Sequence, residues 1–365
     1  MRVLIAPDKF AGTLTAVEAA EAISEGWLRR APGDELVQVP MADGGPGFCD
    51  VLHASLGGEL LAVTVTGPYG DAVPATVLLT GDTAYVESAQ ACGLHLTPRE
   101  QRDPERATSQ GVGELLAAAL DAGARRIAVG LGGSATNDGG AGMLAALGAN
   151  ADAPLTAGPA ALAEVGRVDL EAAQERLRGV TLVSASDVDN PLLGLTGATN
   201  VFGPQKGVVE ERKQALDAAL VAFATATDRR MADAKGAGAA GGLGFGLFLL
   251  GGTRTSGVDM VAEAVGLAAH AESADLLVTG EGAFDFQSRS GKVAYGVATV
   301  AGKALRPCIA LAGQVMVGSR EMRAMGVESA YSMVDLVGEE AAFAQPRDSL
   351  ARLAERVART WSSAR

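Results

Sequence analysis

The sequence predicts an α/β protein in which a doubly wound parallel-sheet domain is built from both ends of the chain and a second α/β domain is inserted between them. Three observations carry this. A strand, polar loop, helix and strand open the chain, a strand–helix alternation returns after about residue 265, and the pattern changes near residue 60 to an alternating hairpin followed by helical and Gly-rich segments. The boundaries that follow are 1–62 and 266–365 for the discontinuous domain and 63–265 for the inserted one.

Residues 2–6 form a short apolar run ending at Pro7-Asp8, as a buried parallel strand does. Residues 15–30 follow with helical spacing of Ala, Ile and Leu, and Thr15 with Glu18 three residues on makes a capping box. A second strand, 36–41, leads into Asp43-Gly44-Gly45. The alternating segments 60–65 and 75–80, around Gly67-Pro68-Tyr69-Gly70-Asp71, predict an antiparallel hairpin. Helices are expected at 111–122, 139–147 and 209–230, and strands at 126–129 and 180–185. Strands at 275–279, 308–312 and 330–334 and helices at 293–304 and 350–360 complete the chain.

Composition narrows the function. Hydrophobic residues make up 48% and charged ones 20%, enough for a large core and against disorder. A net charge of −13 and only 4% aromatic residues exclude a backbone-tracking or base-stacking nucleic-acid binder. Cys49, Cys92 and Cys308 are too far apart for a zinc spacing and odd in number, which fits a reducing compartment. The apolar run at the N-terminus is too short for a signal peptide, and the run 243–250 is too short to span a bilayer. The expectation is a soluble, cytoplasmic protein without membrane or nucleic-acid partners; a homodimer stays open, with no feature arguing for one.

Six polar loops carry candidate chemistry. The strongest is Gly130-Leu131-Gly132-Gly133-Ser134-Ala135-Thr136-Asn137-Asp138-Gly139-Gly140, after a strand and opening a helix. Consecutive glycines let backbone N–H groups approach phosphate oxygens, and the helix N-terminus favours anions. Residues 130–135 also fit the relaxed dinucleotide string G-x-G-x-x-A, with Asp152 about 20 residues on. Asp8-Lys9 follows the first strand and Asp43-Gly44-Gly45 the second, at the sheet edge where ligands of parallel sheets gather. Asp187 and Asp189, two apart after a strand, suit a base and a metal ligand, although Asp-Asn-Pro is also an ordinary strand stop. Lys206, between Gly203 and Gly207 on an expected loop, suits phosphate or carboxylate. Glu281, Asp285, Gln287 and Lys292 are expected in a loop before a helix, a phosphate or carboxylate site that is no Walker A loop. The string Gly236-Ala237-Gly238-Ala239-Ala240-Gly241 follows a polar helix and reads as close packing or a hinge. His53, His95 and His270 are isolated, and no Gly-x-Ser-x-Gly elbow exists.

In order along the chain, 6–10, 40–45, 107–111, 132–147, 187–192, 202–207, 236–246 and 279–292 resemble the bacterial glycerate kinase family. Each piece alone is weak; the ordered set is specific. The resemblance implies two α/β domains, one flavodoxin-like and discontinuous, with the active site in the cleft between them, and ATP, Mg²⁺ and D-glycerate giving 2-phosphoglycerate. The chain departs from the family pattern with Pro46 in place of the usual Glu, with Phe48-Cys49, and with Ala294 where Pro is common.

Phosphoryl transfer asks a protein mainly to position reactants and neutralise charge. On that basis Gly132, Gly133, Ser134, Ala135, Thr136 and Asn137 are expected to cradle the ATP phosphates, with Asp138 and Asp189 at the metal. Lys9, Lys206 and Lys292 neutralise phosphate or hold the glycerate carboxylate, and Asp187 takes the hydroxyl proton. Asp8, Asp43, Gly44, Gly45, Glu281, Asp285 and Gln287 contact the acceptor, and Asp43, Glu281 or Asp285 can exchange roles with the other carboxylates. An NAD-dependent oxidoreductase and a non-catalytic nucleotide-binding protein are the alternatives.

Overall fold

The structure is a computed structural model that describes residues 1–10, 12–286 and 292–362. The chain divides into two compact units: unit 1, Met1–Asp43, Asp50–Gly57 and Gly257–Arg365, and unit 2, Gly44–Cys49 and Gly58–Ser256. The strands are β1 (Arg2–Ile5), β2 (Glu35–Gln38), β3 (Glu59–Thr66), β4 (Ala72–Thr80), β5 (Thr83–Glu87), β6 (Arg126–Gly130), β7 (Asn150–Ala151), β8 (Val168–Asp169), β9 (Thr181–Ala185), β10 (Thr253–Thr255), β11 (Leu276–Phe284), β12 (Cys308–Val315) and β13 (Ser329–Ser332).

Unit 1 holds a parallel sheet in the order β13-β12-β11-β1-β2. Counted within the unit this is the flavodoxin order 2-1-3-4-5, whose direction of winding switches between β1 and β11, and ligands of such sheets bind outside the carboxyl ends at that switch. β1 is buried because its Val3, Leu4 and Ile5 face layers on both sides of the sheet. The helix Ala16–Arg30 begins with the expected capping box: Glu18 N donates to Thr15 Oγ1 (3.1 Å) and Thr15 N to Glu18 Oε2 (2.9 Å). Its Ile23 and Trp27 enter a core with Leu350, Leu353 and Val357 of the helix Pro346–Trp361.

Unit 2 holds a mixed sheet, β10-β9-β6-β5-β4-β3. The expected hairpin is β3–β4, paired from Glu59–Leu79 to Thr66–Ala72, and β5, β6, β9 and β10 run parallel. β7 and β8 form a small separate ladder. Phe223 and Phe245 meet edge to face in the core.

Several local expectations change. Residues 202–207 are not a loop: 202–206 end the helix Ala198–Lys206, which stops at Gly207 (φ 102). Gly203 and Pro204 read as breakers, but Gly203 packs closely on Val208, and packing overrides propensity here. Glu281 lies within β11, which runs on to pair Phe284 with Val315. The helix expected at 209–230 is Glu210–Ala226. The Gly-rich stretch enters the helix Ala239–Leu249 with Ala240, Gly241 and Gly242 left-handed at its start. Among the described residues no helix is long and apolar enough to cross a membrane, and Cys49, Cys92 and Cys308 are buried thiols that form no disulfide.

Candidate functional site

In unit 2 the glycine loop leaves β6 at Gly130, in register with Ala185 at the end of the neighbouring β9. The loop has a buried foundation and a narrow exposed lip. Gly132 and Gly133 reach solvent, Ser134 is nearly covered, and Ala135, Thr136, Asn137 and Asp138 are sealed inside. Asp138 Oδ2 accepts from Ser109 N (2.8 Å), Ser109 Oγ (2.8 Å) and Gly142 N (3.2 Å), and Oδ1 accepts from Gly140 N (3.1 Å). Burial raises the Asp138 pKa and these hydrogen bonds oppose the rise. With its acceptors occupied by the loop and Ser109, Asp138 shapes the loop instead of reaching a metal.

Lys206 is also inside. Its Nζ donates to Thr136 O (2.5 Å) and Ser134 Oγ (3.2 Å), and burial pushes its pKa down to about 8, while Cys92 and Asp138 pull it up. It braces the loop from behind. Burial pushes the Cys92 thiol up to about 12, so it is no nucleophile. Asn137 Nδ2 donates to Thr199 Oγ1 (2.9 Å), while among the described residues its buried Oδ1 meets no hydrogen-bond donor. The amide reads equally well reversed, with the Thr199 hydroxyl donating and the NH₂ left to donate elsewhere. The Gly132 and Gly133 N–H groups at the lip, with Lys206 bracing the loop behind them, fit a polyphosphate.

Two glycine segments press on the loop. Gly44 has φ +89, and a Cβ there would stand 2.6 Å from Ala185 O; one on Gly132 would stand 2.7 Å from Gly45 Cα. Glu87 Oε2 accepts from Gly47 N (3.1 Å) and Cys49 N (3.4 Å), holding this turn in place. On the other side Gly139 N donates to Gly241 O (3.0 Å). The Gly236–Gly241 string is thus close packing, as its sequence context suggested.

Asp187 and Asp189 follow β9 at the same sheet edge. Asp187 is half-buried; Asp189 is exposed and paired with Arg254 (2.7 Å) and Lys235 (3.5 Å). Asp189 is therefore held by cations, which weakens it as a metal ligand. Among the described residues no three His, Cys, Asp or Glu side chains gather for a metal.

Unit 1 gathers the other candidates at the β1/β11 switch. Lys9 Nζ lies 3.8 Å from Asp8 Oδ1 and 3.5 Å from Asp43 Oδ1. Lys292 Nζ lies 3.7 Å from Glu281 Oε2 and 3.8 Å from Asp285 Oδ1. Asp8 is 8% exposed, and burial pushes its pKa up to about 7, with Lys9 opposing and Asp43 and Glu281 adding to the rise. A cavity of about 210 Å³, lined by Phe10, Thr13, Gly282 and Gln314 among others, lies at the ends of these strands. Gln287 lies outside the described residues. Sequence reasoning missed Ser109, Glu87, Thr199 and Arg254, each tied to its partner across tens of residues with no local pattern to mark it.

The chain matches the sequence model described as "Glycerate kinase family" over residues 3–362. It is 42% identical to "Glycerate kinase" of Bacillus subtilis (strain 168), covering 98% of this chain and 97% of that one. It is 40% identical to "Glycerate 2-kinase" of Escherichia coli (strain K12), covering 99% and 98%. The crystal structure of a candidate glycerate kinase 2 from Salmonella typhimurium LT2 superposes with a TM-score of 0.84 at 38% identity, over 99% of this chain and 98% of that one. The chain belongs to the glycerate kinase family.

Proposed function

We propose that the protein transfers the γ-phosphoryl group of ATP to D-glycerate, giving 2-phosphoglycerate, with Mg²⁺. The observation that carries the reading is the unit 2 loop: exposed glycine backbone at the carboxyl end of β6, on a polar foundation of Asp138, Ser109 and Lys206. Such a lip binds phosphate by N–H donation and is preorganised, as transfer requires. Gly132 and Gly133 are the residues we assign to the phosphates; Ala135–Asp138 and Lys206 hold them in place. Mg²⁺ in nucleotide sites takes one or two carboxylates plus phosphates and water, and Asp187 is the carboxylate that fits. The ion would neutralise charge on the phosphates. In unit 1, Lys9 and Lys292 are the cations for the acceptor's carboxylate. The family's named relatives support glycerate as that acceptor.

The product distinguishes this reading. With Mg-ATP and D-glycerate, phosphorus NMR should show a resonance coupled to the single C2 proton; coupling to two C3 protons would mean 3-phosphoglycerate and overturn the assigned hydroxyl.

Lys206→Met tests the brace. Removing the amine leaves Thr136 O and Ser134 Oγ without their donor, so KM for ATP should rise at least about tenfold, some 1.4 kcal/mol, with KM for glycerate little changed. Steady-state kinetics in both substrates reads the split, and equal rises in both would contradict the brace.

A further inference from the structure

The acceptor's proton needs a base, and the carboxylates at the unit 1 sheet edge are not equivalent. Glu281 and Asp285 share Lys292, and the Asp43 side chain is about a third exposed and closer to Lys9 than Asp8 is. Asp8 combines two features. It sits directly at the β1/β11 switch, its main-chain N–H donating to Gly280 O of β11 (2.8 Å). Its carboxylate is held at one oxygen only: Oδ1 accepts from Lys9 N (2.7 Å), while Oδ2 takes no hydrogen bond from the described residues. A carboxylate fixed through one oxygen with the other free has the geometry of a general base, whose lone pair must meet a hydroxyl proton at hydrogen-bond distance.

We infer that Asp8 Oδ2 is the general base that accepts the proton of the acceptor's hydroxyl. The inference rests on the proposed kinase reading. In the step, the hydroxyl O–H bond breaks and its proton moves to Asp8 Oδ2. The hydroxyl oxygen bonds to the γ-phosphorus, and the bond from that phosphorus to the β–γ bridging oxygen breaks, ADP leaving with the electron pair. Asp8 then returns the proton to solvent. Burial supports the role, since it holds this carboxyl at about 7, near the pH at which a base works best. The charged groups that set its titration are Lys9 beside it, Asp43 after β2 and Glu281 on β11.

The test is the pH profile of kcat/KM for glycerate, which reports the free enzyme's base, together with kcat, for wild type, Asp8→Asn and Asp8→Glu with ATP saturating. Wild type should gain activity as pH rises through about 7, because the base works deprotonated. Asp8→Asn should lose about 10²–10⁴ in kcat, lose that acid limb, and keep KM for ATP within about twofold; Asp8→Glu should recover part of kcat with the limb displaced. If Asp8→Asn keeps kcat within about threefold or retains the limb, the assignment is wrong. The wild-type profile needs no variant to fold: a limb near pH 4, the ordinary Asp range, also overturns it. A wild type that releases no ADP with glycerate overturns the kinase reading itself, and this proposal with it.

Discussion

Asp138→Ala should lower stability by about 3–5 kcal/mol, because it strips the acceptor from four donors and removes an anion near a buried ammonium. Ser109 N, Gly140 N and Gly142 N would be left unpaired in an interior with no solvent to replace the carboxylate, and Lys206 would lose a charge that supports its protonation. Protein that still folds should bind ATP far more weakly, since the same four bonds set the path of the loop. Denaturant unfolding and nucleotide titration read the two effects separately. Asp138→Asn, which keeps an acceptor, should lose less stability than Asp138→Ala. A stable Asp138→Ala protein with normal ATP affinity would show that the loop does not depend on this carboxylate.

Gly241→Ala should be nearly as damaging, although it adds one methyl group. The residue has φ +71, and an added Cβ would stand 1.8 Å from Thr136 O and 2.8 Å from Asn137 Cα, both main-chain atoms. A side chain in the left-handed region costs about 1–2 kcal/mol, and overpacking a tight site adds about 1–3 kcal/mol. The two together correspond to a Tm fall of about 4–20 °C in a domain of this size. Relief can come only by moving the 136–137 backbone, so ATP affinity should fall with stability. The control is Gly302→Ala, inside the helix Val293–Lys303, where an added Cβ meets nothing within 4 Å. There alanine's better helix propensity should leave Tm unchanged or slightly raised. Equal behaviour of the two variants would contradict the packing account.

These cases show what the sequence makes legible. The capping box at Thr15 and Glu18, the β3–β4 hairpin and the opening strand–helix–strand are local patterns, and residues a few positions apart state them. The glycine loop was legible for the same reason: strand, glycines and helix are contiguous. What composition does not reveal is which half of such a loop faces outward. Thr136, Asn137 and Asp138 look like ligand groups by chemistry, yet they are sealed beneath Gly132 and Gly133, where partners far along the chain hold them: Lys206 at Thr136 O, Thr199 at Asn137 Nδ2 and Ser109 at Asp138. Lys206 looked exposed between glycines, but a helix turns it inward onto the loop. Asp189 looked available until the three-residue strand β10, too short for any periodicity, delivered Arg254 to it. Asp8 shows both sides: its position after a strand is readable and its tether to Lys9 N is local, whereas its main-chain bond to Gly280 O comes from β11, more than 260 residues away.

The measurement that tests the central claim most directly is ADP release by the purified protein with Mg-ATP, followed with and without D-glycerate. The account predicts release that requires glycerate, saturates with it, and leaves ATP intact in its absence. Release that ignores glycerate, or none at all alongside a change in NAD absorbance, would contradict it.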